Sequence, residues 1–266
     1  MKLLHSLLAA ALLLVAAGQA VAQLPPGNAA GVATGHIHLV LADVEKAKSI
    51  WLAFGAKEIK SGKLQALQFP GIYIMLTKGA PTAGSGGSTI DHIGFAVKDL
   101  ALYKKKLIDN GARIAAENAS LGLVIGELPE GVLVEFRSEP GIAGPIEFHH
   151  FHLKSADPDA LQAWYIDTFG AEKSTRMNLP SAVVPGGRVD FLKTAAGQTT
   201  APSKGRAIDH IGFEVDNLDA FAAKLRAKGI KFDREPAAIE ALGLKIAFIT
   251  DPAGTYIELT QGLRGR

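Results

Sequence analysis

The sequence predicts an α+β fold made of four copies of one βαβββ module, and three observations predict it. Four segments open alike: Gly35-His36-Ile37-His38 through Asp43, Asp91-His92-Ile93-Gly94 through Asp99, His149-His150-Phe151-His152 through Asp157, and Asp209-His210-Ile211-Gly212 through Asn217. In each, one His stands seven residues before the closing Asp or Asn, and the residues between alternate as a strand does. A helical stretch follows each opener and stops at a glycine, and after each glycine there is room for three short strands. A pattern that returns four times along one chain decides the architecture before any single element does.

The elements follow in order. Residues 1–22 carry Lys2, an apolar run from Leu7 to Ala17 and a small-residue end, Ala20-Val21-Ala22. That is the layout of a secretory signal peptide cut before Gln23, and the run is shorter than the ~20 residues a bilayer span needs. Residues 23–34 read as a flexible lead-in. The closing Asp43, Asp99, Asp157 and Asn217 are good helix N-caps. The helices are expected over 44–54, 100–110, 158–169 and 218–228, each followed by a stop glycine: Gly55, Gly111, Gly170 and Gly229. Gly-, Pro- and Thr-rich loops at 79–88 and 195–206 divide the modules within each half. Residues 138–147 read as the linker between an N-terminal domain, 35–137, and a C-terminal domain, 148–262.

Composition narrows the function. The chain has no cysteine, so neither disulfides nor thiolate chemistry is available, and any metal must be held by His, Asp and Glu. With 28 basic against 26 acidic residues, there is no electrostatic case for nucleic acid. No stretch after the signal peptide is apolar enough to span a membrane. The expected location is periplasmic or secreted, with a small-molecule partner and a monomer or homodimer as the working form.

Strand alternation sorts side chains between two faces. His92, Gly94 and Ala96 share one face of the second opener, while Asp91, Ile93, Phe95 and Val97 share the other, which suits a helical layer. His210, Gly212 and Glu214 do the same in the fourth. His36 and His38, and likewise His150 and His152, lie on the equivalent face of the first and third. In the closing strands, Glu135 and Glu258 stand between residues that suit the helix side.

Asp91-His92-Ile93-Gly94-Phe95, Asp209-His210-Ile211-Gly212-Phe213 and Asp251-Pro252-Ala253-Gly254-Thr255-Tyr256-Ile257-Glu258-Leu259 resemble the vicinal oxygen chelate superfamily. That superfamily includes glyoxalase I, extradiol dioxygenases, fosfomycin-resistance enzymes and bleomycin-binding proteins. The resemblance covers roughly residues 35–262 and implies that modules pair, each pair folding into a cupped sheet around one site. It also implies metal ligands at the opening His and the closing acid. Grouped by halves, these are His36, His92 and Glu135 in the first domain and His150, His210 and Glu258 in the second. A fourth ligand position exists in the family. Aligning 69–78 with 184–193 places Met75 opposite Asp190 there, so Asp190 joins the second set.

Two His and a carboxylate suit Fe(II) and are also usable by Mn, Zn or Ni. His38 and His152 are expected beside the ligands as general acid–base groups, with Arg188, Tyr73 and Tyr256 as substrate-wall candidates. The resemblance therefore implies a divalent-metal-dependent enzyme, dioxygenase-like or glyoxalase/isomerase/lyase-like, acting on a small substrate through neighbouring oxygens. Export disfavours a glutathione-dependent reaction. The alternative is a metal-free binding protein of the bleomycin-resistance type.

Overall fold

The computed structural model describes residues 24–266; the predicted signal peptide, 1–22, lies outside the described residues. The first module comprises β1 (Val32–Leu41), α1 (Val44–Phe54), β2 (Lys57–Ser61), β3 (Leu64–Phe69) and β4 (Ile72–Lys78). The second comprises β5 (Ile90–Val97), α2 (Leu100–Asp109), β6 (Arg113–Asn118), β7 (Leu123–Glu127) and β8 (Leu133–Ser138). The third comprises β9 (Ile146–Ser155), α3 (Pro158–Phe169), β10 (Glu172–Arg176), β11 (Leu179–Val184) and β12 (Gly187–Lys193). The fourth comprises β13 (Ile208–Val215), α4 (Leu218–Ala227), β14 (Phe232–Ile239), β15 (Leu244–Thr250) and β16 (Tyr256–Gln261).

Each helix starts where a side chain can satisfy its first free N–H groups. Asp43, Asp99, Asp157 and Asn217 accept from the backbone N–H of Lys46, Leu102, Ala160 and Ala220, at 2.9–3.0 Å. Helices α1 and α3 end at Gly55 and Gly170 in the left-handed region, φ 111° and 62°, which a side chain would resist.

The sixteen strands form two eight-stranded sheets, and here the structure departs from the expected domains. The first sheet runs β14-β15-β16-β13-β1-β4-β3-β2, and the second runs β10-β11-β12-β9-β5-β8-β7-β6. Module one therefore pairs with module four, and module two with module three. The division into an N-terminal domain 35–137 and a C-terminal domain 148–262 is overturned, because neither half contains a complete sheet. The join in each sheet is an antiparallel pairing of two opening strands, β1 with β13 and β5 with β9. The linker is short: β9 begins at Ile146, inside the 138–147 span. A short connection favours antiparallel neighbours, so module three falls beside module two.

The lead-in is also packed rather than loose. Leu24 is buried within the concave face of the first sheet, and the Asn28 amide donates to the carbonyls of Phe169 and Gly170 at 3.0 Å. The main core is one continuous cluster reaching across both sheets. Phe69 of β3 meets Phe95 of β5 with ring centroids 4.8 Å apart, and Phe54 of α1 meets Phe136 of β8 at 5.2 Å. Trp51 is buried among these rings, while Trp164 is partly buried against the same core. The helices and the convex backs of the sheets thus form the core, and the concave faces are left for polar groups. No helix among the described residues is long and apolar enough to cross a membrane.

This pairing predicts the behaviour of a cut chain. Cleavage within the 139–144 loop should leave the two fragments associated as one particle in native size-exclusion chromatography, because each sheet needs both. Fragments that separate as folded monomers would contradict the topology.

Candidate metal centre

The pairing assembles two centres from residues that the linear halves had kept apart. In the first sheet, His36 and His38 of β1, His210 of β13 and Glu258 of β16 place their ligand atoms within 4.8 Å of one another. In the second, His92 of β5 and His150 and His152 of β9 do the same. Glu135 of β8 joins them, 3.4 Å from His92 Nε2 and 3.9 Å from His150 Nε2. The halfwise sets therefore need correction. His36 meets His210 and Glu258, not His92 and Glu135; His150 meets His92 and Glu135, not His210 and Glu258. The pairing of opening strands is invisible to a register argument, since every module presents the same face.

Two glycines explain why the rings fit. Gly212 lies opposite His36, and Gly94 opposite His150. A Cβ on Gly212 would stand 2.1 Å from the His36 ring, and one on Gly94 would stand 2.0 Å from the His150 ring. Each imidazole therefore lies across the backbone of the neighbouring strand.

His210 Nε2 donates to Glu258 Oε2 at 2.9 Å, while its Nδ1 donates to Asp209 Oδ1 at 2.6 Å. His92 Nδ1 likewise donates to Asp91 Oδ1 at 2.8 Å. These Asp-His pairs fix ring orientation, as carboxylates behind metal-binding imidazoles do. Simple alternation had put Asp91 on the helix side. A register shift between Ile90 and His92 breaks that alternation and brings the carboxylate to the ring. The repeated Asp-His dipeptide was the available signal. Lys154 also pairs with Asp91.

Charge separates the imidazoles into two kinds. Burial opposes a charge on His92, but its bonds to Asp91 and Glu135 outweigh burial and raise its pKa to about 9. His210 is raised for the same reasons, through Asp209 and Glu258. Burial, with repulsion from His210 and His36, pushes His38 down to about 3, and burial with His92 does the same to His152. Several possible ligand atoms have no hydrogen-bond partner among the described residues: His36 Nδ1, His38 Nδ1, His150 Nε2, His152 Nε2 and Glu135 Oε1. Buried polar atoms are rarely left so. Three imidazoles clustered around a carboxylate are the donor set a divalent cation completes, so the residues present fit a metal.

Two expected roles change. His38 and His152 lie inside the clusters rather than beside them. Asp190 faces the second cup, beside His152 in register, but its carboxylate is held by Arg176 Nε at 2.6 Å and stands outside the cluster. Arg176 comes from β10, three strands from β9 in the sheet, and no motif in the sequence marks it. Tyr73 is buried in the first cup, where its hydroxyl donates to the Arg266 carbonyl at 3.1 Å. Tyr256 stacks on Phe248, with centroids 4.8 Å apart, and sits edge-on to His210. Arg188 shares the concave face with His150, its register partner.

A sequence model of the "Glyoxalase/Bleomycin resistance protein/Dioxygenase superfamily" matches residues 147–259. A curated "Probable lactoylglutathione lyase" from Synechocystis is 27% identical over 121 residues, 42% of this chain and 92% of that protein. The structure of glyoxalase I from Zea mays matches with a TM-score of 0.68 at 16% identity, covering 86% of this chain and 92% of that one. A putative dioxygenase from Bacillus subtilis matches with a TM-score of 0.64 at 13% identity, covering 86% and 84%. At such identities the structural likeness speaks for the fold.

The two kinds of imidazole set the pH response of the metal-free protein. The folded chain refuses protons at His38 and His152 that the unfolded chain takes near pH 6.5; stability therefore falls as pH drops below that value. The raised His92 adds stability that is complete below pH 6.5 and lost as pH rises through about 9. Urea midpoints measured with chelator should peak near neutrality, with the limb between pH 6.5 and 5 flattened in His38→Gln. An unchanged limb would contradict the assignment.

Proposed function

We propose, for a chain that belongs to the vicinal oxygen chelate superfamily of glyoxalases, bleomycin resistance proteins and dioxygenases, that it is a divalent-metal-dependent enzyme acting on a small oxygenated molecule. The observation that carries this reading is the convergence, twice, of three imidazoles and one carboxylate with unpartnered buried donors. A cup that bound ligand without metal would leave those donors unsatisfied, at about 1–3 kcal/mol each. His36, His210 and Glu258, with His38, would hold one ion; His92, His150 and Glu135, with His152, would hold the other. The donor set suits Fe(II), Mn, Zn or Ni. A bound ion polarises two neighbouring substrate oxygens, which serves either oxygenase or isomerase/lyase chemistry.

The chain's own groups supply the rest. Asp209 and Asp91 hold the Nδ1 protons of His210 and His92, aiming each Nε2 into its cup. In metal-free protein a proton on Nε2 of His210 bridges to Glu258; coordination by that nitrogen would displace the proton, so metal binding would be coupled to proton release. His38 Nδ1 and His152 Nε2 carry no hydrogen bond. Where not coordinated, they are the atoms able to accept a proton from a bound substrate. Phe248 and Tyr256 form an apolar wall beside His210 that keeps water from that side of the first centre.

We also read residues 1–22 as a signal removed on export to the periplasm or beyond. A mature protein whose mass begins at Gln23 is expected outside the cytoplasm; a retained Met1 would contradict it. Export removes the chain from the main pool of glutathione, which favours a reaction without that thiol. A monomer suffices for catalysis, because both members of each module pair lie in one chain.

The ligand assignment predicts a pattern of metal content. Wild type should bind two ions per chain. His36→Ala with His210→Ala should leave one, because both changes fall in the same centre, whereas His36→Ala with His92→Ala should leave none. One ion retained by the second pair would contradict the assignment. Fe(II)-loaded protein tested for oxygen uptake with catechols then separates oxygenase from isomerase chemistry.

A further inference from the structure

The two cups share one architecture and differ at equivalent positions. Register places Tyr73 beside His36 and Arg188 beside His150; it places Thr260 beside Glu214 and Arg137 beside Ala96. Ser61 and Arg176 close the corresponding hairpins, opposite Leu64 and Leu179. Three arginines in the second cup thus stand where the first has a tyrosine, a threonine and a serine.

The first cup is also filled at that end by its own chain. Glu214 Oε1 accepts from the backbone N–H of Gly262, Leu263 and Arg264 at 2.9, 3.0 and 3.1 Å. Leu263, fully buried, then packs with Leu24 and Tyr73 in an apolar cluster on the concave face. Ala96 occupies the Glu214 position in the second cup and offers no carboxylate to hold such a segment. A depression of about 760 Å³, lined in part by Phe148, Val183 and Arg188, opens at the Arg188 end of β12, and none of the metal-site residues lines it.

Two of the arginines are partly engaged: Arg176 gives its Nε to Asp190 and its Nη1 to the Met177 sulfur, and Arg137 gives its Nε to Glu139 at 3.2 Å while its Nη1 stands 3.7 Å from Glu135, so each keeps its Nη2 as a further donor. Arg188 forms no ion pair among the described residues, although Glu147 and Glu172 line the same depression. A half-buried guanidinium without a carboxylate, on the face that carries the metal-site histidines, is a fork awaiting a planar anion.

We propose that the second cup, rather than the first, receives substrate, and that the substrate carries a carboxylate bound by Arg188, with Arg137 and Arg176 beside it. This rests on the metal-site reading above: the neighbouring oxygens address the His92–His150–Glu135 centre while the carboxylate lies toward the arginines. The first cup, closed at the matching end by Leu263, keeps a structural ion.

The test uses two probes that differ only in the anion, catechol and 3,4-dihydroxybenzoate, bound to Zn-loaded protein, with metal content measured in every sample. Wild type should bind the carboxylate probe about tenfold tighter or more. Arg188→Gln should bring the two probes within about twofold of each other by weakening the carboxylate probe. Arg137→Gln, expected to lose part of the preference, serves if the first variant does not fold. His36→Ala with His210→Ala should keep the preference. Equal binding of the two probes by protein holding two ions overturns this inference alone, as does a preference that survives both arginine changes or disappears with the first-cup ligands. Protein that holds no ion overturns the metal reading and this inference with it.

Discussion

The antiparallel contact between two opening strands, made once by β1 with β13 and once by β5 with β9, is the constraint on which the rest of the molecule depends. It sets His36 across Gly212 and His150 across Gly94, and only a residue without a side chain tolerates a ring at that distance. The same contact joins four outer strands to four others, producing a sheet that curves around the histidines. Because two neighbouring rings on β1 or β9 face one on the partner strand, three imidazoles crowd a single carboxylate. Burial, reinforced by repulsion from the neighbouring rings, keeps His38 and His152 neutral, the state in which a ring nitrogen can act as a ligand.

The two cups show how duplicated architecture diverges by a few positions. Glu214, placed where Ala96 stands in the other cup, accepts three backbone N–H groups and ties down Gly262–Arg264. Burial pushes the Glu214 carboxyl above its ordinary range, and the three N–H donors pull it the other way. On the opposite side, substituting Arg188 for the position of Tyr73 replaces a wall that seals with one that attracts. Neither change disturbs the histidines. The fold therefore holds the chemical centre constant while the distal end of each cup is free to set access and charge.

Much of this was legible in the sequence because it is local. The His-to-Asp spacing, the capping Asp43, Asp99, Asp157 and Asn217, and the glycines after each helix follow from rules that act within a dozen residues, and the helices begin where those caps place them. The faces of Glu135, Glu258 and Asp190 were readable from alternation. Which module pairs with which was not, since four modules of equal pattern permit several pairings, and only the strand contacts between distant segments choose. Asp190 shows the same limit: its face was correct, but its partner Arg176 lies across two strands and carries no motif. The Asp-His dipeptides and the bulk of Glu214 were visible signals whose meaning depends on a bulge and on a chain segment about fifty residues away.

Anomalous diffraction at the metal edge, from crystals grown with Mn or Co, tests most directly whether each cup holds an ion. Two centres per chain require two peaks, one within about 2.0–2.2 Å of donors from His36, His210 and Glu258 and the other equally close to His92, His150 and Glu135. A peak shared by His36 and His92, or clusters that stay empty in the presence of excess metal, would contradict that assignment.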